Sequence, residues 1–292
     1  MPLLSTHKLP AYARLVRLNR PIGTLLVMWP ALWSLWLAAG GMPDLKNLLI
    51  FIAGAFVMRS AGCAINDYAD RDFDGKVERT RERPLATGEI TGKEALAVFG
   101  LLVAIAFLLV LATNQRTVLL ALLGLVIASA YPFLKRVTHW PQLGLGIAFA
   151  WPVPMAFSAQ AEEIPPAAWL LFFATALWIV VYDTFYAMVD RNDDLVAGIK
   201  STAILFGPAD TVICGLVQVS FLLLLIIVGR QFGCGAWYYL GLLAAGALFA
   251  AQQARLRSRQ REACFRAFLD NNYVGMAIFA GIALDYALAP VG

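Results

Sequence analysis

Two short acidic stretches carry the chemistry legible in this 292-residue sequence. The first runs Asn66-Asp67-Tyr68-Ala69-Asp70-Arg71-Asp72-Phe73-Asp74; the second runs from Asp183 through Tyr186 and Asp190 to Asp194. Asp70 and Asp190 each open an Asp-Arg-x-x-Asp, a weak internal repeat that implies two related halves. If each stretch continues as a helix, a turn of about 100° per residue puts Asn66, Asp70 and Asp74 on the face that also carries Arg59. Asp183, Asp190 and Asp194 share a face of the second helix, while Asp67 falls on a flank and Asp72 and Asp193 diverge. Carboxylates gathered this closely repel one another and lose hydration, so a cation must compensate. Oxygen donors of this kind suit Mg2+, which takes a few carboxylates and completes its shell with a substrate's phosphate oxygens. Two facing acid runs therefore read as a diphosphate clamp; solvated helix ends paired with nearby arginines are the alternative.

Basic residues accompany the acids. Lys135 and Arg136 follow Tyr131-Pro132-Phe133-Leu134 and can neutralise a departing diphosphate. Arg79, Arg83 and Lys200 are weaker candidates of the same type, and all of them also fit a purely topological role. Arg59 differs, because it lies seven residues before Asn66 and so about 10 Å deeper along the helix. A charge at that depth is costly unless paired or hydrated. It reads as the receiver of the carboxylate of an acidic second substrate, with snorkelling to the membrane edge as the alternative.

The elements that must position these side chains are apolar. Hydrophobic residues make up 60% of the chain, charged residues 14%, and the mean hydropathy is +0.70. So few charges cannot cover a soluble protein of this size. Apolar runs predict an all-α polytopic membrane protein with nine spans, or eight, near 22–39, 48–65, 94–112, 117–134, 143–159, 167–186, 211–229, 237–253 and 273–288. They form one domain, 1–292, around a central cavity. No removable signal peptide is evident. With the N-terminus in the cytoplasm, 19 of the 23 Lys and Arg residues fall on the cytoplasmic side. Only Lys46, Arg116 and Arg230 fall opposite, so the acid runs face the cytoplasm. The net charge of +4 is explained by this bias and by anionic lipid, and implies no nucleic-acid partner. Four widely spaced cysteines and two histidines argue against a disulfide frame, a zinc site or a multi-histidine haem or copper centre.

Taken together, Asn66-Asp67-x-x-Asp70-x-x-x-Asp74, Tyr131-x-x-x-Lys135 and Asp183-x-x-Tyr186-Ala187-x-x-Asp190-x-x-x-Asp194 resemble the intramembrane aromatic prenyltransferases of the UbiA family. Arg20-Pro21-Ile22-Gly23, Arg79-Thr80-x-x-Arg83-Pro84-Leu85, Gly198-Ile199-Lys200-Ser201 and Asn271-Asn272-Tyr273-Val274-Gly275 extend the resemblance over almost the whole chain. It is strongest to the bacterial branch serving ubiquinone synthesis. The resemblance implies an inner-membrane enzyme that moves a long polyprenyl group from polyprenyl diphosphate to 4-hydroxybenzoate, at the ring carbon ortho to the hydroxyl. Asn66, Asp70, Asp74, Asp190 and Asp194 would bind Mg2+ and the diphosphate. Lys135 and Arg136 would assist the diphosphate, with Tyr131 beside it, and Arg59 would orient the acceptor. Asp183, Tyr186, Arg79, Arg83 and Lys200 would complete the substrate contacts. Tyr68, Phe149, Trp151, Phe157 and Trp178 are aromatics that can line an apolar cavity and stabilise a cation. A different aromatic acceptor, or a secondary transporter with repeated acidic sites, stays open as an alternative.

Overall fold

The computed structural model describes residues 4–72, 74–76 and 78–288; the two ends of the 1–292 domain lie outside the described residues. Regular structure among these residues is helical throughout. In chain order the helices are α1 (Leu9–Leu15), α2 (Ile22–Ala39), α3 (Leu45–Asp70), α4 (Gly92–Val110), α5 (Gln115–Ala130), α6 (Pro141–Ala150) and α7 (Pro152–Ala161). They continue with α8 (Pro166–Ala197), α9 (Thr202–Phe206), α10 (Asp210–Gln231), α11 (Ala236–Leu256), α12 (Arg261–Leu269) and α13 (Asn271–Leu288). Among the described residues, eight segments are long and apolar enough to cross a membrane. The chain is a multi-pass membrane protein. Helix α11 supplies the ninth rod: it packs against α10 and α13 but is diluted by Gln252 and Gln253, which pair with Gln218 of α10 at 2.9 and 2.8 Å.

Prolines and charges set where these rods break. The fifth span is two helices, α6 and α7, joined at Trp151, because Pro152 and Pro154 remove backbone donors that a continuous helix would use. After α5 the chain tightens into a 3-10 turn, Tyr131–Arg136, with Pro132 near its start. Helix α8 meets no such obstacle for 32 residues, about 48 Å, and so outruns a hydrocarbon core of about 30 Å. Gly198 ends it in the left-handed conformation, φ 71°, with its N–H bonded back to the Asp194 carbonyl.

Helix α3 does not continue as the wheel argument assumed. It stops at Asp70, and Asp74 is placed by a separate 3-10 turn, Asp74–Lys76. Successive carboxylates at a helix C-terminus oppose the macrodipole, so extending α3 through Asp72 and Asp74 is unfavourable.

At the bundle centre Trp33, Trp178 and Phe221 are fully buried, with Trp178 and Phe221 stacked at 5.9 Å between centroids. Three indole N–H groups donate to the start of α13: Trp178 to Asn271 Oδ1 at 2.8 Å, Trp29 to Asn272 Oδ1 at 2.9 Å, and Trp33 to the Gly275 carbonyl at 3.1 Å. Buried indole donors need partners of this kind. The Asn271-Asn272-Tyr273-Val274-Gly275 segment is thus the dock for α2 and α8.

Helices α11 and α13 approach through glycine. A Cβ on Gly241 would lie 2.8 Å from the Ala277 carbonyl oxygen and 3.0 Å from Gly281 Cα, whereas one on Gly246 would meet only Leu222 at 3.5 Å. Gly241→Ala is therefore expected to force the helices apart and cost about 1–3 kcal/mol. Gly246→Ala should be neutral or slightly stabilising. Unfolding midpoints in detergent micelles compare the two; equal midpoints would contradict the backbone contact.

Candidate active site

Helices α3 and α8 bring the two acid runs to opposite walls of one cavity of about 430 Å3. Helix α3 contributes Arg59, Asn66, Asp67 and Asp70, and the turn beyond it contributes Asp74. From α8 come Tyr182, Asp183, Tyr186, Asp190 and Asp194, of which all but Asp183 follow one another every four residues along a single face. The 3-10 turn supplies Tyr131 and Lys135, the segment before α4 supplies Arg79 and Arg83, and the segment after α8 supplies Lys200. Of the residues assigned metal or substrate contacts from the sequence, all line this cavity except Arg136.

Arg136 corrects the sequence reading. Consecutive residues of a 3-10 turn project about 120° apart, so Lys135 and Arg136 cannot both face inward. Arg136 instead bonds the Ala69 carbonyl, lies 5.8 Å over the Phe133 ring, and holds the end of α3 from outside. The aromatics divide similarly. Phe149 lines the cavity; Phe157 and Trp178 belong to the core, Tyr68 stacks under Arg71, and Trp151 lines a separate apolar cavity.

Asp67, Asp70, Asp74, Asp190 and Asp194 are all buried, and most of them meet a base. Lys135 forms an ion pair with Asp70. Arg83 Nη1 reaches both oxygens of Asp74, at 3.0 and 2.9 Å, and Asp67 at 3.0 Å. Arg79 Nε donates to both oxygens of Asp190, at 3.0 and 2.9 Å, while its guanidinium lies 4.4 Å over the Tyr186 ring. Asn66 donates to Asp70 at 3.1 Å. Burial raises the Asp74 carboxyl to about 6, with Arg83 opposing the rise and Asp70 and Asp67 adding to it. Burial alone would lower Arg83, but Asp67 and Asp74 together outweigh it and hold the guanidinium firmly charged. Arg79 is raised in the same way, burial being outweighed by Tyr186 and Asp190.

At the inner end the pattern reverses. Arg59 has Cys63 Sγ at 2.6 Å and the Phe149 ring at 5.9 Å, and its buried Nε has no partner among the described residues. Its guanidinium occupies the space a side chain at residue 23 would fill: a Cβ on Gly23 would lie 2.3 Å from Arg59 Nε. Sequence reasoning missed Gly23, Tyr182 and Arg17 as parts of this site. The signals were present: Tyr182 lies four residues before Tyr186 on the acid-bearing face, and Gly23 closes the Arg20-Pro21-Ile22-Gly23 motif.

Asn66, Asp70 and Asp74 on one wall and Asp190 and Asp194 on the other are hard oxygen donors. No three acid, histidine or cysteine side chains among the described residues form a complete cage. The donor set nevertheless fits magnesium, which needs only one or two carboxylates when phosphate oxygens and water complete its shell.

A family model described as the UbiA prenyltransferase family matches residues 27–279. Among curated relatives, the 4-hydroxybenzoate octaprenyltransferase of Aeromonas salmonicida is 56% identical over 288 residues, covering 99% of this chain and 100% of that protein. The protein of the same name from Cronobacter sakazakii is 56% identical over 283 residues, covering 97% and 98%. Among solved structures, the apo UbiA homolog from Aeropyrum pernix K1 superposes with a TM-score of 0.78 at 27% identity, covering 90% of this chain and 97% of that one. The UbiA homolog from Archaeoglobus fulgidus bound to GPP and Mg2+ shares the fold, with a TM-score of 0.72 at 19% identity over 96% and 100% of the two chains.

Asp67 is fully buried and shared, since Arg17 Nη2 also reaches both of its oxygens at 2.8 and 2.9 Å. It ties the segment between α1 and α2 to α3 and to Arg83, which makes it a strut between segments. Asp67→Ala leaves two guanidinium groups without their common partner and is expected to cost about 3 kcal/mol. A lowered unfolding midpoint in detergent checks this; an unchanged one would show that the arginines re-pair without it.

Proposed function

The chain belongs to the UbiA prenyltransferase family, and from that premise we propose that it transfers a long polyprenyl group from polyprenyl diphosphate to 4-hydroxybenzoate. The observation that carries this reading is the division of one cavity: acids and bases pair with each other at its mouth, while Arg59 at its inner end makes no ion pair among the described residues. Such a cavity suits two substrates of different charge, a diphosphate outside and a small carboxylic acid within. The curated relatives' name supplies the acceptor and the ubiquinone pathway.

On this reading Asn66, Asp70, Asp74, Asp190 and Asp194 hold Mg2+ and through it the diphosphate, as the Mg2+ and GPP bound to the Archaeoglobus fulgidus homolog suggest. Magnesium, when bound, supplies positive charge that stabilises the leaving diphosphate. Lys135, Arg79 and Arg83, which line the same cavity, donate to diphosphate oxygens on this reading, since those oxygens would otherwise meet only carboxylates. Lys200 stands at the same wall. Breaking the allylic C–O bond releases diphosphate and leaves a delocalised carbocation; the ring carbon ortho to the phenol hydroxyl attacks it to form the C–C bond, and loss of that carbon's proton restores the aromatic ring. Arg59 orients the acceptor by its carboxylate. Leu26, Leu145, Tyr131 and Phe149 keep water from the cation. A second, apolar cavity of about 170 Å3 shares Arg59, Tyr131 and Phe149 with the first and gives the isoprenoid tail a route toward lipid. The charge bias orients the N-terminus and the acid runs toward the cytoplasm of a bacterial inner membrane.

Purified protein given Mg2+, labelled 4-hydroxybenzoate and a long polyprenyl diphosphate should yield lipid-soluble label, lost on chelation and regained with Mg2+. Asp70→Ala and Asp190→Ala should each lower turnover about a hundredfold or more while inserting normally. No product from folded wild-type protein would refute the reading.

Arg59→Ala should raise the acceptor KM about ten- to a hundredfold and leave the diphosphate KM near its wild-type value. Gly23→Ala should reproduce that effect with a near-normal unfolding midpoint, because it displaces the end of a flexible side chain. Steady-state kinetics in both substrates checks this; a rise confined to the diphosphate KM would refute the role of Arg59.

A further inference from the structure

The inner end of the cavity holds a second donor that the mechanism above does not use. Tyr182 is 2% exposed, yet its ring lines the cavity, and its hydroxyl has no hydrogen-bond partner among the described residues. The ring is packed in place: Trp178 meets it edge-on at 5.4 Å between centroids and Phe268 at 6.0 Å. A phenylalanine would fill the same space without burying an unpaired hydroxyl, so the hydroxyl calls for a partner that the protein itself does not provide.

What that partner must be follows from the surroundings. Arg59, from the opposite wall, presents a guanidinium with an unpaired buried Nε, and among the described residues no carboxylate, Asp183 of the same cavity included, forms an ion pair with it. Arginine offers only donors, and a tyrosine hydroxyl offers one. A carboxylate has two oxygens and about four acceptor positions, enough to take both at once. The diphosphate is a poor candidate. Tyr182 lies eight residues before Asp190 on one straight face of α8, about 12 Å from the acids that mark the mouth.

We propose that the Tyr182 hydroxyl is an acceptor-binding group: with Arg59 it holds the acid group of a hydroxyaryl carboxylate at the inner end of the cavity. The proposal rests on the prenyl-transfer reading and names a second determinant of its acceptor class. A para-substituted benzene ring spans a little more than one helical turn of about 5.4 Å. An acceptor anchored at Tyr182 therefore presents its hydroxyl end beside Tyr186, one turn below Asp190, where the ring carbon next to that hydroxyl faces the diphosphate end. Anchoring by a fixed hydroxyl as well as a flexible guanidinium selects against phenols that lack the acid group, because both donors would then stay unpaired.

Tyr182→Phe in the full-length protein tests this by three measurements. Without acceptor, its unfolding midpoint in detergent should equal or exceed that of the wild type, because an unpaired hydroxyl has been removed; a lowered midpoint would mean a structural role and overturn the proposal. With 4-hydroxybenzoate, its acceptor KM should rise about tenfold or more at an unchanged diphosphate KM; an unchanged acceptor KM would overturn it. With 4-methylphenol, which has no acid group, variant and wild type should perform equally; a loss as large as that for 4-hydroxybenzoate would place the hydroxyl elsewhere on the ring. A wild-type protein that binds 4-hydroxybenzoate and fails only these comparisons refutes Tyr182 alone, whereas one that does not use 4-hydroxybenzoate at all refutes the underlying reading as well.

Discussion

Charge that is buried must be answered, and the rest of this structure follows from how its buried carboxylates are answered. Asp67, Asp70 and Asp190 each meet Lys or Arg from another segment, Arg17, Arg79, Arg83 or Lys135, while Asp74 meets Arg83 of its own connection between α3 and α4. The first three pairings therefore also tie connecting segments to transmembrane helices. Isolated acids at such a membrane edge would repel one another and lose hydration. With these partners they become the knots that hold the segments between helices over the cavity. Local folding of those segments and the electrostatics of the site are one problem with one solution.

That solution sorts the cavity by depth. Near the ends of α3 and α8 acid and base alternate, a surface on which a metal-bound diphosphate can exchange one set of ionic partners for another without leaving charge bare. Further in, acids thin out to Asp183 and the donors Arg59 and Tyr182 remain. Apolar and aromatic side chains separate this region from lipid, with Phe149 and Tyr131 shared between the polar cavity and the apolar one beside it. A reaction that passes through a carbocation needs this order, since strong nucleophiles and water must be kept from the carbon that ionises.

Much of this is legible in the sequence, for reasons that can be located in particular residues. Long apolar runs revealed the helices because lipid leaves the backbone few other options. Helical periodicity correctly grouped Asp190 with Asp194, because α8 is continuous from Pro166 to Ala197. The same arithmetic failed for Asp74, since α3 ends four residues earlier; adjacency alone pairs Arg136 with Lys135, and the 3-10 turn points the two apart. Periodicity presumes an unbroken element, and it fails where charge or proline breaks one. Gly23, Arg17 and Tyr182 were hidden for another reason. Each matters through a contact between segments distant in sequence, Gly23 with Arg59, Arg17 with Asp67, Tyr182 with the cavity floor, and a wheel drawn for one helix holds no information about its neighbour.

Helix α8 shows why rigidity matters as much as composition. Tyr182, Tyr186, Asp190 and Asp194 stand on successive turns of one rod that no proline or glycine interrupts before Gly198. Its lower half is clamped in the tryptophan and phenylalanine core, and its upper half is held by Arg79 at Asp190 and by Arg191, whose guanidinium bonds the buried Asp210 and the Gly207 carbonyl. The separation between the hydroxyl near the closed end and the carboxylates at the mouth is thereby a property of helix geometry, independent of any loop. On the proposed reading that fixed span is a ruler. An acceptor seated against Tyr182 and Arg59 brings one ring carbon to the diphosphate end, so the site of bond formation is chosen by where the acceptor is held.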